Sequence, residues 1–271
     1  MDRKTYMKNI YSKYWIYARE RKYGFLEYDK NLCNYICKNV SKEENILDVG
    51  IGTGFPFGDF FQKEGYSVHG IDIAPTLIEK CRKLNDKINC KVGDAENLEY
   101  PDNFFNCTYS FHSTYYFPNL CKVISEMTRV TIPNGLIIFD IQNRNNNECI
   151  QNYNRMILDK SGGFRRLFRY AKNILKIILR NGIPDWTNVV HEVPAYPETI
   201  YRHLKDLHVK SYSIMTQSNV DSSLQVMNEI GSFKDYPRLV FVVRKKKMTQ
   251  VRRDFLVGTA RIELATSTMS T

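Results

Sequence analysis

The segment that most constrains this chain runs from residue 45 to 61, NILDVGIGTGFPFGDFF. A short apolar run ends at Val49, glycines stand at positions 50, 52 and 54, and an aromatic run follows. An apolar run of this length bounded by glycine reads as a buried strand. The segment from Gly58 to Glu64 reads as a helix, stopped by Gly65 as its C-terminal cap. The glycines between them permit positive φ and let backbone N–H groups approach a ligand closely. A strand, a bare loop and a helix in that order belong to parallel sheets, whose ligands lie at the carboxyl ends of the strands.

The rest of the chain repeats the alternation. Residues 5–23 and 28–39 read as helices, the second with Leu32, Tyr35 and Ile36 at helical spacing. Strands are predicted at 45–49, 67–73, 89–92, 106–110 and 136–141, with helices at 76–84 and 120–130 between them. The turn Pro133-Asn134-Gly135 is expected to close the last of these helices. A helix at 197–207 and strands at 209–214 and 239–244 complete the pattern. The expected fold is α/β, a doubly wound, mostly parallel seven-stranded Rossmann-like sheet. Ligand-binding residues are then expected just after the strands, at 50–54, 72–73, 94–95, 111–116 and 140–144. Residues from Arg144 to Trp186 break the alternation, and a stretch of more than 40 residues is too long for a plain loop, so a helical cap is expected at about 144–196. Residues 1–247 are read as one domain, and 248–271 as a disordered, non-functional C-terminal extension.

The glycine spacing separates the familiar nucleotide loops. The dinucleotide pattern fails at position 55, which is Phe, and no Gly-Lys-Ser/Thr follows to make a P-loop. What stands is Asp48-Val49-Gly50-x-Gly52-x-Gly54, which resembles the first motif of the class I S-adenosylmethionine (SAM) methyltransferases. His69-Gly70-Ile71-Asp72-Ile73-Ala74 looks like their second motif, and Gly93-Asp94-Ala95-Glu96-Asn97-Leu98 like their third. Phe105 to Phe111 is similar to the strand that follows, and Arg129-Val130-x-x-Pro133-Asn134-Gly135-Leu136 to the entry into strand five. The match spans about residues 43–142 and is closest to the methyltransferase domain 11 type, the broad group that holds the ubiquinone and menaquinone methyltransferases.

That resemblance implies SAM as cofactor. A carboxylate accepts both ribose hydroxyls in charge-assisted hydrogen bonds, and Asp72 is placed for it. By resemblance Ile73 touches adenine, Asp94 takes the adenine amino group with Ala95 beside it, Asp48 meets the amino end, and Gly50, Gly52 and Gly54 pass along the methionine moiety. Phe55 and Phe57 depart from the family's small or aliphatic residues and are read as core. The implied activity is methyl transfer to a small-molecule acceptor, O- or C-methylation ahead of N-methylation. A SAM-binding regulatory or interaction protein is the alternative, and an NAD-dependent oxidoreductase ranks below it.

Methyl transfer from a sulfonium is an in-line displacement needing alignment and exclusion of water, and an oxygen or carbon acceptor also has to lose a proton. His112 and His191 are the candidate catalytic bases, His191 with Glu192 beside it, and Asp140 at the end of strand five is a third option. Tyr115 and Tyr116 are candidate walls of the substrate pocket.

The net charge of +10 is uneven: residues 140–247 hold 18 Lys+Arg against 10 Asp+Glu. Within them, FRRLFRYAKNILKIILR (164–180) places apolar residues at helical spacing and carries six cations and no acid. A lid or plain packing is the favoured reading of this helix, with peripheral contact to an anionic membrane surface as the alternative. Nucleic acid ranks lower, because no array of stacking residues accompanies the charge. Seven cysteines with no CxxC spacing read as reduced, mostly buried thiols, and no metal site is expected. The expected location is the cytoplasm, with peripheral membrane contact as an option. The oligomeric state is left open.

Overall fold

The computed structural model describes residues 1–11, 13, 24–180, 184–207, 209–217, 224–226 and 234–247. The predicted C-terminal extension, 248–271, and most of the first predicted helix lie outside these residues.

One eight-stranded sheet organises the chain. Its strands are β1 (Asn45–Val49), β2 (Ser67–Asp72), β3 (Asn89–Val92), β4 (Phe105–Ser110), β5 (Thr131–Gln142), β6 (Ser211–Gln217), β7 (Leu224–Val226) and β8 (Arg238–Arg244). Their order is β3-β2-β1-β4-β5-β8-β6-β7. The first five strands pair in parallel, and β8 enters antiparallel between β5 and β6. The seven expected strands are present, and the three-residue β7 adds an eighth at the edge.

Helices cover both faces: α1 (Arg3–Tyr6, running into a π-helical turn Met7–Tyr11), α2 (Glu27–Asn39), α3 (Phe57–Lys63), α4 (Pro75–Leu84), α5 (Leu120–Val130), α6 (Asn147–Lys160), α7 (Phe164–Arg180) and α8 (Pro197–Asp206). Strand residues alternate between two cores, as the two-residue period of a strand requires. Ile46, Leu136, Ile138 and Val240 pack with Leu32, Ile36, Phe61 and Ile78 of α2, α3 and α4. Leu47, Ile137, Phe139 and Phe241 pack with Val123, Met127, Ile200 and Leu204 of α5 and α8. Because both faces are buried, the central strands read as unbroken apolar runs.

Local signals explain the joints. Gly65, at φ +93°, ends α3 as predicted. Its N–H reaches Gln62 and that of Tyr66 reaches Phe61, the paired bonds of a Schellman cap, while the Tyr66 and Phe61 rings meet edge to face at 5.6 Å. The turn Pro133-Asn134-Gly135 is a correction. It is an irregularity inside β5, which starts at Thr131, and the pairing with β4 shifts between Phe105 and Cys107. Asn134 holds φ +63° there and donates to the Lys245 carbonyl, and a side chain at Gly135 would run into the Ile132 and Asn106 carbonyls.

The sheet positions the site. The loops after β1 and β4 leave toward opposite faces, so a crevice opens between them, the switch point where open α/β sheets bind ligands. Between β5 and α8 lie α6, α7 and an extended segment from 184 to 196 whose Ala195 bridges back to Asn143.

Candidate functional site

Two cavities adjoin across this crevice. Gly50, Asp72, Ser113 and Tyr116 line both. The first is otherwise walled by Ile71, Ile73, Gly93, Asp94, Ala95, Glu96, Phe117 and Pro118, with Lys4 and Met7 of the N-terminal helix closing it. The second is walled by Asp48, Ile51, Gly52, Thr53, Phe55, Phe57, Leu77, Phe111 and His112.

Asp72 stands at the junction because it ends β2. One carboxylate oxygen accepts the Gly52 N–H at 3.0 Å and the other the Ala74 N–H at 2.9 Å. A carboxylate has about four acceptor positions, so these bonds leave it able to accept from a ligand as well. Burial pushes this carboxyl up to about 6, against the pull of the Ala74 and Gly52 N–H groups.

The three loop glycines do different work. Gly50 has φ +89°, and a Cβ there would sit 2.7 Å from that of Ser113. Gly52 has φ +59° and nothing within 4 Å of a Cβ position, so its backbone faces open space. Gly54 lines neither cavity; its φ is +85°, and a Cβ would meet the Cys81 sulfur of α4 at 2.9 Å. Its part is to let the loop pack on α4. Phe57 belongs to the core, as expected, and also to the second cavity's wall, which Phe55 joins.

At the other end, the Asp94 carboxylate accepts the Glu96 N–H at 2.9 Å. Lys4 bridges Asp94 and Glu96, at 2.8 Å to each. Burial works against the Lys4 ammonium, but its hydrogen bonds to these acids outweigh it and raise its pKa. Sequence reasoning missed Lys4 and Met7. The partners of Lys4 lie 90 and 92 positions away, and no local pattern announces such contacts.

His112 follows β4 with φ +56° and forms part of a buried charged cluster. Its N–H donates to Asp140 at 2.9 Å. Arg238 at the start of β8 donates to Asp140 at 3.0 Å and also to His112 Nδ1. A guanidinium only donates, so Nδ1 accepts and the ring proton sits on Nε2. Nε2 faces Asp29 of α2 at 2.5 Å. Asp29 and Asp140 are each 1 % exposed. Asp29 and Arg238 were not foreseen either.

Of the remaining candidates, Tyr116 lines both cavities and donates to Glu192 at 3.2 Å. Tyr115 packs against it at 4.5 Å, and its carbonyl accepts the Val193 N–H, but it lines neither cavity. His191 lies one layer out. Its ring stacks on Tyr6 at 4.8 Å and on Tyr116 at 6.1 Å, and burial pushes its pKa down to about 4. Among the described residues no cluster of His, Cys, Asp and Glu could hold a metal ion.

The donor set can be tested against SAM. The first cavity offers apolar walls with a carboxylate at the end, as a purine with an exocyclic amine requires. Asp72 offers oxygens for a vicinal diol, and the second cavity offers Asp48 and open backbone for an amino-acid tail. Acids face both cavities, which suits a cation and disfavours the pyrophosphate of a dinucleotide. The residues fit.

Comparison with known proteins agrees. Residues 47–139 match the family model described as methyltransferase domain. A sterol 24-C-methyltransferase of Gibberella zeae is 28% identical over half of this chain and 39% of its own length. A 2-methyl-6-phytyl-1,4-hydroquinone methyltransferase of Synechocystis is 28% identical over 58% of this chain and 53% of its own. The methyltransferase GfsG of Streptomyces halstedii is 33% identical over 38% of this chain and 40% of its own. The chain thus spans only about two fifths to half of these curated relatives. Among solved structures, a SAM-dependent methyltransferase of Thermotoga maritima, titled a possible histamine N-methyltransferase, superposes with a TM-score of 0.55 at 15% identity, covering 90% of this chain and 98% of that one. Residues 47–139 thus match a methyltransferase domain, and the sheet that carries them has the fold of a solved SAM-dependent methyltransferase.

Proposed function

We propose that the protein transfers a methyl group from SAM to an oxygen or carbon of a small, largely apolar acceptor. The observation that carries this reading is Asp72 at the junction of the two cavities, between an apolar pocket and an acid-lined glycine loop. SAM, when bound, supplies an electrophilic methyl group on a sulfonium centre.

The chain's own residues do the rest. Asp72 would hold the ribose hydroxyls, Asp94 the adenine amino group, and Ile73 and Ala95 the faces of the ring. Asp48 and the loop at Gly50 and Gly52 would hold the amino-acid tail. Tyr116, Met7 and Phe117 would keep water out and fix the line of attack.

His112 is the proposed base. With Nε2–H directed at Asp29, the basic nitrogen is Nδ1. Taking the acceptor's proton there requires Arg238 to yield Nδ1 while staying on Asp140, and Asp29 then faces the imidazolium. His191, kept neutral by burial, is proposed to brace Tyr116.

The relatives named for sterol, tocopherol and phytyl-hydroquinone methylation support an apolar acceptor and both O- and C-transfer. The seven free thiols suit the reducing cytoplasm, and the proposed site of action is there, peripheral to a membrane met through residues 164–180. The test is transfer of labelled methyl from SAM into fractionated cell extract. Label should appear in one fraction; SAM binding with no transfer into any fraction would favour the binding-only alternative.

A further inference from the structure

Helix α7 turns its apolar side outward. Phe164, Leu167, Phe168, Leu175, Ile178 and Leu179 are between 54 and 74% exposed. At about 100° per residue these six fall in one stripe roughly 120° wide. Opposite the stripe lies Asn173, only 3% exposed, donating to the Asp185 carbonyl at 2.8 Å. The polar side of this amphipathic helix is therefore the docked one. A lid with its apolar side over the substrate would have the reverse orientation, and no α7 residue lines either cavity of the crevice.

Soluble chains rarely expose an apolar stripe this continuous without a partner. Charge says which partner. Residues 164–180 carry six cations and no acid, with Arg165 and Lys172 bordering the stripe. Among the described residues no carboxylate forms an ion pair with Arg165, Arg166, Arg169, Lys172 or Lys176 of α7. A second copy of the helix would bring like charge against like charge. An acidic lipid surface satisfies both features at once, taking up the apolar side chains and meeting Arg165 and Lys172 at the stripe's border with headgroup phosphates.

The helix is also tied to the crevice. The Asp185 carboxylate accepts Tyr6 Oη at 3.1 Å and the Lys160 ammonium, and its carbonyl holds Asn173 of α7. Tyr6 belongs to the same N-terminal helix whose Lys4 and Met7 close the first cavity. One residue thus anchors both the outward-facing helix and the cover of the proposed cofactor site.

We propose that α7 seats the protein on an acidic bilayer, apolar stripe down, and that the methyl acceptor is an amphiphile drawn from that surface. The second half rests on the methyltransferase reading. The test is flotation of the full chain with vesicles of equal parts phosphatidylglycerol and phosphatidylcholine, beside vesicles of phosphatidylcholine alone. The chain should float with the acidic vesicles, at least about tenfold less with the neutral ones, and progressively less as salt shortens the range of the charges. The combined variant Leu167→Glu, Phe168→Glu, Ile178→Glu should lose flotation while keeping its melting temperature and SAM affinity, since all three side chains point into solvent. No flotation with acidic vesicles, equal flotation of the variant, or a dimer that the variant abolishes would each overturn the docking surface. For the acceptor, label from SAM should enter the lipid-soluble fraction of a cell extract; label confined to the water-soluble fraction, or in neither, overturns that half. Titration of SAM without vesicles tests the methyltransferase reading separately, so the two failures are distinguishable.

Discussion

The proposed cofactor half of the crevice and its proposed acceptor half are built by different means. On the cofactor side each key residue sits within a few positions of the end of a parallel strand: Asp48, Gly50 and Gly52 at β1, Asp72 and Ile73 at β2, Asp94 and Ala95 after β3. The backbone path fixes where these groups stand. On the acceptor side, His112 is held by Asp29, 83 positions away, and by Arg238, 126 positions away. Side chains from three elements fix that geometry, and any one of them can change it. The difference teaches that the first half should tolerate change poorly in affinity and the second in turnover.

Four tests, the last of them a pair of substitutions, break or sharpen this contrast. The largest effect is expected from Asp72→Ala. Two charge-assisted hydrogen bonds at about 1.5–3 kcal/mol each correspond to a loss of SAM affinity of roughly 10²-fold or more. Calorimetry measures it, with Asp72→Asn as the variant that keeps the shape. Next is Asp29→Asn, which removes the negative partner of His112 Nε2. It should lower kcat by about 10²-fold and leave the SAM dissociation constant unchanged, since general-base catalysis contributes on that scale. A loss confined to SAM affinity would move Asp29 to the cofactor side and erase the contrast.

Acidity comes third. Burial pushes the Asp72 carboxyl up to about 6. If SAM binds the ionised form, affinity should fall roughly tenfold per pH unit below 6 and stay level above it. The stability term has the opposite sign. A carboxyl raised above its unfolded value burdens the fold fully above pH 6, and that burden is relieved as pH falls toward the unfolded value, so protonation here favours the empty protein. The smallest effect separates two glycines. Gly50→Ala combines positive φ with a clash against Ser113 and should lower stability by about 1–3 kcal/mol. Gly52→Ala meets no atom and should cost about 1 kcal/mol of backbone strain, while its methyl group enters the space proposed for ligand. Thermal melts without SAM, paired with SAM titrations, distinguish the two.

The same contrast explains what could be read from sequence. The strands of the cofactor half, the Gly65 cap and the acids after β2 and β3 follow from local apolar runs, glycines and spacing. The turn at Pro133-Asn134-Gly135 carried the right residues for a reversal, but it stands as an irregularity inside β5, between Thr131 and the regular pairing that starts at Leu136. His112 was legible as a polar residue after β4, whereas its partners were not, because a buried ion cluster depends on how α2 and β8 pack. In α7 the periodicity was plain, but a periodic pattern does not say which side faces the protein; the contact of Asn173 with Asp185 decides that. The cover formed by Lys4 and Met7 left no mark in the sequence beyond a run of Lys and Tyr.

The most direct measurement is calorimetric titration of the full chain with SAM, with S-adenosylhomocysteine and with NAD. The acid-lined crevice predicts saturable one-to-one binding of both adenosyl ligands and no measurable heat from NAD. Absence of SAM binding, or tighter binding of NAD, would contradict it.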